Sequence, residues 1–93
     1  MEERLFENDK TELKSVLNEK LEKEVVAFLN SKTGGDIYIG VADDGTAIGI
    51  ENVDKTLLAV SDRIKNNILP TCLGLFEVYS EDYQGKTVIH TIV

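Results

Sequence analysis

Seventeen carboxylates stand in this 93-residue chain beside one cysteine, Cys72, and one histidine, His90. A lone cysteine forms no internal disulfide, and the pair cannot make a Cys/His zinc site, so both are read as structural. No third group near either one suggests a Ser/His or Cys/His nucleophile pairing. What remains is carboxylate chemistry: two or three acids converging on one point can hold Mg²⁺ or Mn²⁺ and activate water for phosphodiester cleavage. The candidates are Glu7, Glu12, Asp43 and Asp44. Glu12 and Lys14 lie two apart on an expected strand and so share a face, and Glu7 can join them if the chain bends through Glu7-Asn8-Asp9. A solvated surface is the plainer reading of acids this numerous.

Phosphate cradles need glycines between a strand and a following helix. Gly34 and Gly35 come after a helix and before a strand, and neither G-x-G-x-x-G nor G-x-x-x-x-G-K-[ST] occurs, which excludes Rossmann and P-loop sites. A D-x-G-x-G nucleotide box also fails, because Ala47 stands where its second glycine is required. No cofactor is expected. The formal charge of −7 counts against strong stand-alone binding to nucleic acid, since such binding rests on Lys and Arg neutralising phosphates.

The elements that must position these residues follow from periodicity. A short strand is expected at Thr11 to Lys14. Leu17, Leu21, Val25, Phe28 and Leu29 recur at helical spacing, which predicts a helix from Leu17 to about Lys32, capped by Gly34-Gly35. Ile37, Ile39 and Val41 then alternate as in a strand, and Asp44-Gly45 reads as a two-residue hairpin turn. That turn pairs Val41 with Ile48 and Ile39 with Ile50, placing four aliphatics on one face. The other face carries Tyr38, Gly40, Ala42, Ala47 and Gly49, small enough to admit a close partner such as a second copy of the chain. Asn52 caps a second helix whose stripe is Val53, Leu57, Val60, Ile64 and Ile68, ended by Pro70. Strands at Leu75 to Ser80 and Lys86 to Val93 complete the order β-α-β-β-α-β-β. The expected fold is α/β, more strictly α+β: a two-layer sandwich of a mostly antiparallel sheet with both helices on one face. Residues 1–93 read as one domain, the N-terminal fragment of a longer protein. No apolar run reaches membrane-spanning length and the acidic N-terminus is unlike a signal peptide, so a cytoplasmic location is expected.

"ENDKTELK", then "EVVAFLNSKTGGDIYIGVADDGTAIGI", resembles the Schlafen AlbA-type domain. That family's run is an E-F-K-like strand, a helix ending in A-F-A-N-x-x-G-G, a strand I-x-I-G-V and a D-D-G turn leading to a glycine. Here these are Glu12-Leu13-Lys14, Ala27 to Asn30, Gly34-Gly35, Ile37 to Val41, Asp43-Asp44-Gly45 and Gly49. The resemblance implies a DNA-binding module of bacterial transcriptional regulators, some named as RecG-related helicases, and a C-terminal region beyond it. DNA or RNA is the implied partner, approached by Lys14, Lys32, Arg63 and Lys65, and no enzymatic activity is expected of this fragment. Eukaryotic relatives that cleave RNA use three carboxylates, which match Glu7, Glu12 and Asp43 or Asp44, with Mg²⁺ or Mn²⁺. Their turn is one residue shorter, and this chain lacks their basic cradle. A non-catalytic dimerisation module is the third reading.

Overall fold

Ile37 and Ile39 in one strand and Ile89 in another project to the same side of a sheet, and that side is where both helices rest. The computed structural model describes residues 4–68 and 76–93. Pro70, Cys72 and the expected start of the third strand at Leu75 lie outside these residues. Within them the order is β1 (Thr11–Lys14), α1 (Leu21–Leu29), β2 (Asp36–Ile39), α2 (Val53–Asn67), β3 (Glu77–Tyr83) and β4 (Lys86–Ile92). The sheet runs β1-β2-β4-β3, with β1 parallel to β2 and the other two pairs antiparallel. This is the expected two-layer α+β architecture.

The helix-side core joins Leu21 and Val25 of α1, Val60 and Ile64 of α2, and Ile37, Ile39 and Ile89 of the sheet, all fully buried. Each such side chain contributes about 1.5–3 kcal/mol by leaving water. Helix α2 has the expected stripe and cap, with Asn52 Oδ1 accepting from the Lys55 amide at 3.3 Å. Helix α1 is shorter than periodicity predicts. Asn18 Oδ1 accepts from the Lys20 amide at 2.9 Å, a local turn that delays the helix to Leu21. Ser31 ends it: its hydroxyl donates to the Phe28 carbonyl and accepts from the Gly34 amide, each at 2.9 Å. Gly34 and Gly35 are therefore a docking turn rather than a helix cap. Gly34 has φ +68°, and a Cβ there would overlap the Val93 carbonyl oxygen, while Gly35 exchanges hydrogen bonds with Val93 at 2.9 and 3.3 Å.

The hairpin differs from the expected register. Ala42 N–H donates to Thr46 O at 2.8 Å and Gly45, at φ +89°, donates to Ala42 O at 2.9 Å. Asp43, Asp44 and Gly45 thus form a three-residue loop whose last member is left-handed, a common alternative to the two-residue turn. Val41 bridges Ala47 instead of Ile48, and the arm after the loop forms this single bridge, not a fifth strand. The one-residue offset exposes Ile48, and a kink at Gly40, φ +101°, where the Gly40 and Val41 amides both donate to the Lys14 carbonyl, turns Val41 away from the side of Ile39. Ile39 and Ile50 join the helix side, whereas Val41 packs with Leu13 and Val88 in a second cluster.

The sheet's other face centres on His90, only 6% exposed. Its Nε2 lies 2.8 Å from Asp36 Oδ1, its Nδ1 lies 2.7 Å from Glu81 Oε1, and its ring stacks on Tyr38 with centroids 4.1 Å apart. One side chain on β4 thereby ties β2 to β3, the structural role expected of it.

One buried group is left over. Thr91 is fully buried and its hydroxyl has no hydrogen-bond partner among the described residues. Thr91→Val keeps the shape and removes the stranded hydroxyl, so the urea midpoint should rise by the equivalent of about 1 kcal/mol.

Candidate functional site

Asn8 and Thr11 exchange backbone hydrogen bonds at 3.1 and 3.3 Å, and Asn8 Oδ1 accepts from the Lys10 amide at 2.8 Å. This tight turn is the bend anticipated in the sequence, and it folds Glu7 back onto the outer edge of β1. There Glu7 Oε1 accepts from the Leu13 amide at 3.4 Å and its carboxyl meets that of Glu12. In register, Glu12 sits beside Ile37 and Lys14 beside Ile39, so both side chains belong to the helix side of β1. Lys14 is buried, with Nζ 2.8 Å from Glu24 Oε1 on α1.

Three glutamates, Glu7, Glu12 and Glu24, therefore crowd one lysine. Lys14 is paired with Glu24, which leaves the Glu12 carboxyl beside Glu7. Burial, the hydrogen bond that protonated Glu12 donates to Glu7, and repulsion from Glu24 and Glu7 push the Glu12 carboxyl up to about 7, against a smaller pull from Lys14. A carboxyl poised there can give or take a proton near neutral pH.

The other candidates lie elsewhere. Asp43 and Asp44 both stand exposed in the hairpin loop. A hydrogen bond from the Thr46 side chain, and with it the one that Asp44 Oδ1 accepts from the Thr46 amide at 2.9 Å, hold the Asp44 carboxyl below the usual range. Neither aspartate is among the groups that shift Glu12. Among the described residues no three His, Cys, Asp or Glu side chains are arranged to hold a metal ion. The Glu7, Glu12 and Asp43 set does not fit Mg²⁺ or Mn²⁺ as it stands.

Of the expected phosphate contacts, Lys14 is buried. Arg63 is joined to Glu22, donating from Nε at 2.9 Å and again from Nη2, and the pair holds Glu22 down at about 2. Both charges tie the frame together. Lys32 and Lys65 are exposed. The expected small-residue face of the hairpin does not form as such, because Ala47 lies opposite Val41 rather than Ala42, and the hairpin backbone is tied down from within the chain. Gln84 accepts from the Ala47 amide at 2.9 Å and donates to Gly45 O at 3.3 Å, and the Tyr83 hydroxyl also donates to Gly45 O. Gln84 holds φ +52°, a conformation unusual for a residue with a side chain, and these bonds to the hairpin offset its cost.

Sequence reasoning missed Glu24 and Gln84. Glu24 reads as one more charge on a solvated helix face, and Gln84 as one more polar turn residue.

The profile of the family described as Schlafen, AlbA_2 matches residues 7–93. No curated protein matches the chain. Among solved structures, it is similar to the DIP2311 protein from Corynebacterium diphtheriae, with a TM-score of 0.61 and 18% identity. That match covers 97% of this chain and 22% of the other, a likeness of fold.

The raised Glu12 carboxyl sets a pH dependence. Its folded value of about 7 exceeds its unfolded one, so its contribution to stability is fully present below about 4.5 and is lost as pH rises through 7. Glu12→Gln should therefore flatten the stability profile. It should exceed wild type at mildly alkaline pH by on the order of 1 kcal/mol, because solvent screens this partly exposed group, and match it in acid. Urea midpoints across that pH range give the comparison.

Proposed function

Because the chain belongs to the Schlafen AlbA_2 family, we propose that it is the nucleic-acid-binding part of a larger regulatory protein, a DNA-binding domain of a transcriptional regulator. The observation carrying this reading is the extent of the family match, which takes in both helices and all four strands. The net charge of −7 limits what the domain does alone and makes the rest of its host protein a contributor to binding.

Binding is favoured over cutting. A cleavage site would need Asp43 or Asp44 beside Glu7 and Glu12, and among the described residues no three such side chains are arranged to hold a metal ion. Binding is also favoured over dimerisation through the hairpin, since the observed register sets Ala47 opposite Val41 and does not form the small-residue face expected there.

Filter binding of the full-length protein to single-stranded DNA, duplex DNA and RNA at two salt concentrations tests the proposal. Affinity should fall as salt rises, with a slope that reports the phosphates neutralised. No binding at low salt would refute it. Mn²⁺-dependent cleavage of structured RNA that disappears in Glu12→Gln would replace it with a nuclease.

A further inference from the structure

An open groove of about 880 Å³ lies between the β1–α1 connection, the hairpin's return arm, the first half of α2 and the start of β4. Its size falls within the roughly 300–1,000 Å³ typical of small-ligand sites. None of the residues expected to meet phosphate, namely Lys14, Lys32, Arg63 and Lys65, lines it.

Two properties single it out. Val16 and Ile48, 63% and 45% exposed, both line it, so two exposed apolar side chains from different segments face one concavity. Ile48 stands there because the three-residue loop shifted the hairpin register. Lys55 and Lys86 also line the groove, and neither has an ion-pair partner among the described residues, against one acid, Glu51. In a chain of net charge −7 this is a local reversal of sign. Lys86 is held there by packing, its stem lying so close to Gly49 that a Cβ at Gly49 would sit 3.3 Å from Lys86 Cβ.

We infer that this groove takes a single strand of nucleic acid, with Lys55 and Lys86 meeting phosphates and Val16 and Ile48 meeting the faces of unpaired bases. The inference rests on the nucleic-acid reading proposed above. A single strand offers apolar base faces and anionic links alternately, which is what the groove lining complements. A duplex hides its base faces in the stack and is too large to enter. An acidic peptide could satisfy the lysines, so it is an arm of the test.

The experiment measures fluorescence anisotropy of labelled oligo-dT, an RNA of the same length and a duplex with the full-length protein, across a salt series. Three double variants are compared with wild type: Lys55→Ala with Lys86→Ala, Val16→Ser with Ile48→Ser, and Lys32→Ala with Lys65→Ala. All six side chains are exposed, and thermal melts check that each variant is folded. The lysine pair in the groove should weaken single-strand binding roughly tenfold and lower the salt slope by about 1.4, the share of two phosphates on a single strand. The apolar pair should weaken binding with the slope unchanged. Wild-type affinity in both groove variants, with loss only in the Lys32 and Lys65 variant, overturns the groove assignment and leaves the nucleic-acid reading standing. Preference for the duplex overturns the single-strand assignment. Failure to bind any probe at low salt overturns both. A Glu/Leu-rich peptide that binds wild type, but not the Lys55 and Lys86 variant, where no oligonucleotide binds, assigns the groove to a protein partner instead.

Discussion

Strand β4 is last in the chain and central in the sheet, and the other elements depend on that placement. It pairs with β2 along Asp36 to Ile39 and with β3 along its whole length. Ile89 supplies floor for both helices, while His90 on the opposite face reaches carboxylates on both neighbours. Without β4, the parallel β1–β2 pair would be a two-stranded ribbon, too small to be stable alone. Helix α2 would lose much of the surface its stripe covers. The pairing of Ile39 with Ile89 closes a long stretch of chain, and such non-local contacts make folding slow relative to helical domains of similar size.

The frame that results uses some of the chain's charge internally. Lys14 is enclosed with Glu24, Arg63 joins the two helices through Glu22, and His90 lies between Asp36 and Glu81. Such pairs matter mainly because breaking them leaves a charge stranded. Lys55 and Lys86 take no part in these pairs. Glu7 and Glu12 lie between these categories, since they are bound to each other and yet sit at a sheet edge.

Much of this was legible in the sequence, and for identifiable reasons. Helix α2 was readable because its cap and stripe are local signals. The bend at Asn8 and the strand at Thr11 were readable from turn chemistry. The start of α1 was misplaced because Leu17 does pack on the core, but from a loop that Asn18 shapes. The hairpin register was missed because Asp44-Gly45 fits a two-residue turn as well as the end of a three-residue one, and only the hydrogen bonds distinguish them. Lys14 looked like a surface base because its partner, Glu24, lies on another element and is brought near by folding. The docking of Gln84 on the hairpin spans 37 positions and has no sequence signature.

The sheet ends at β3, whose seven residues form its outer margin beyond β4. Open margins recruit strands from other molecules unless something repels them. Here Glu77, Glu81 and Asp82 put negative charge along that border, with no basic residue in the strand. The acidity that makes the chain an unpromising ligand for polyanions thus also works as a solubility device. Like charge along such a border disfavours pairing with the same border of a second copy.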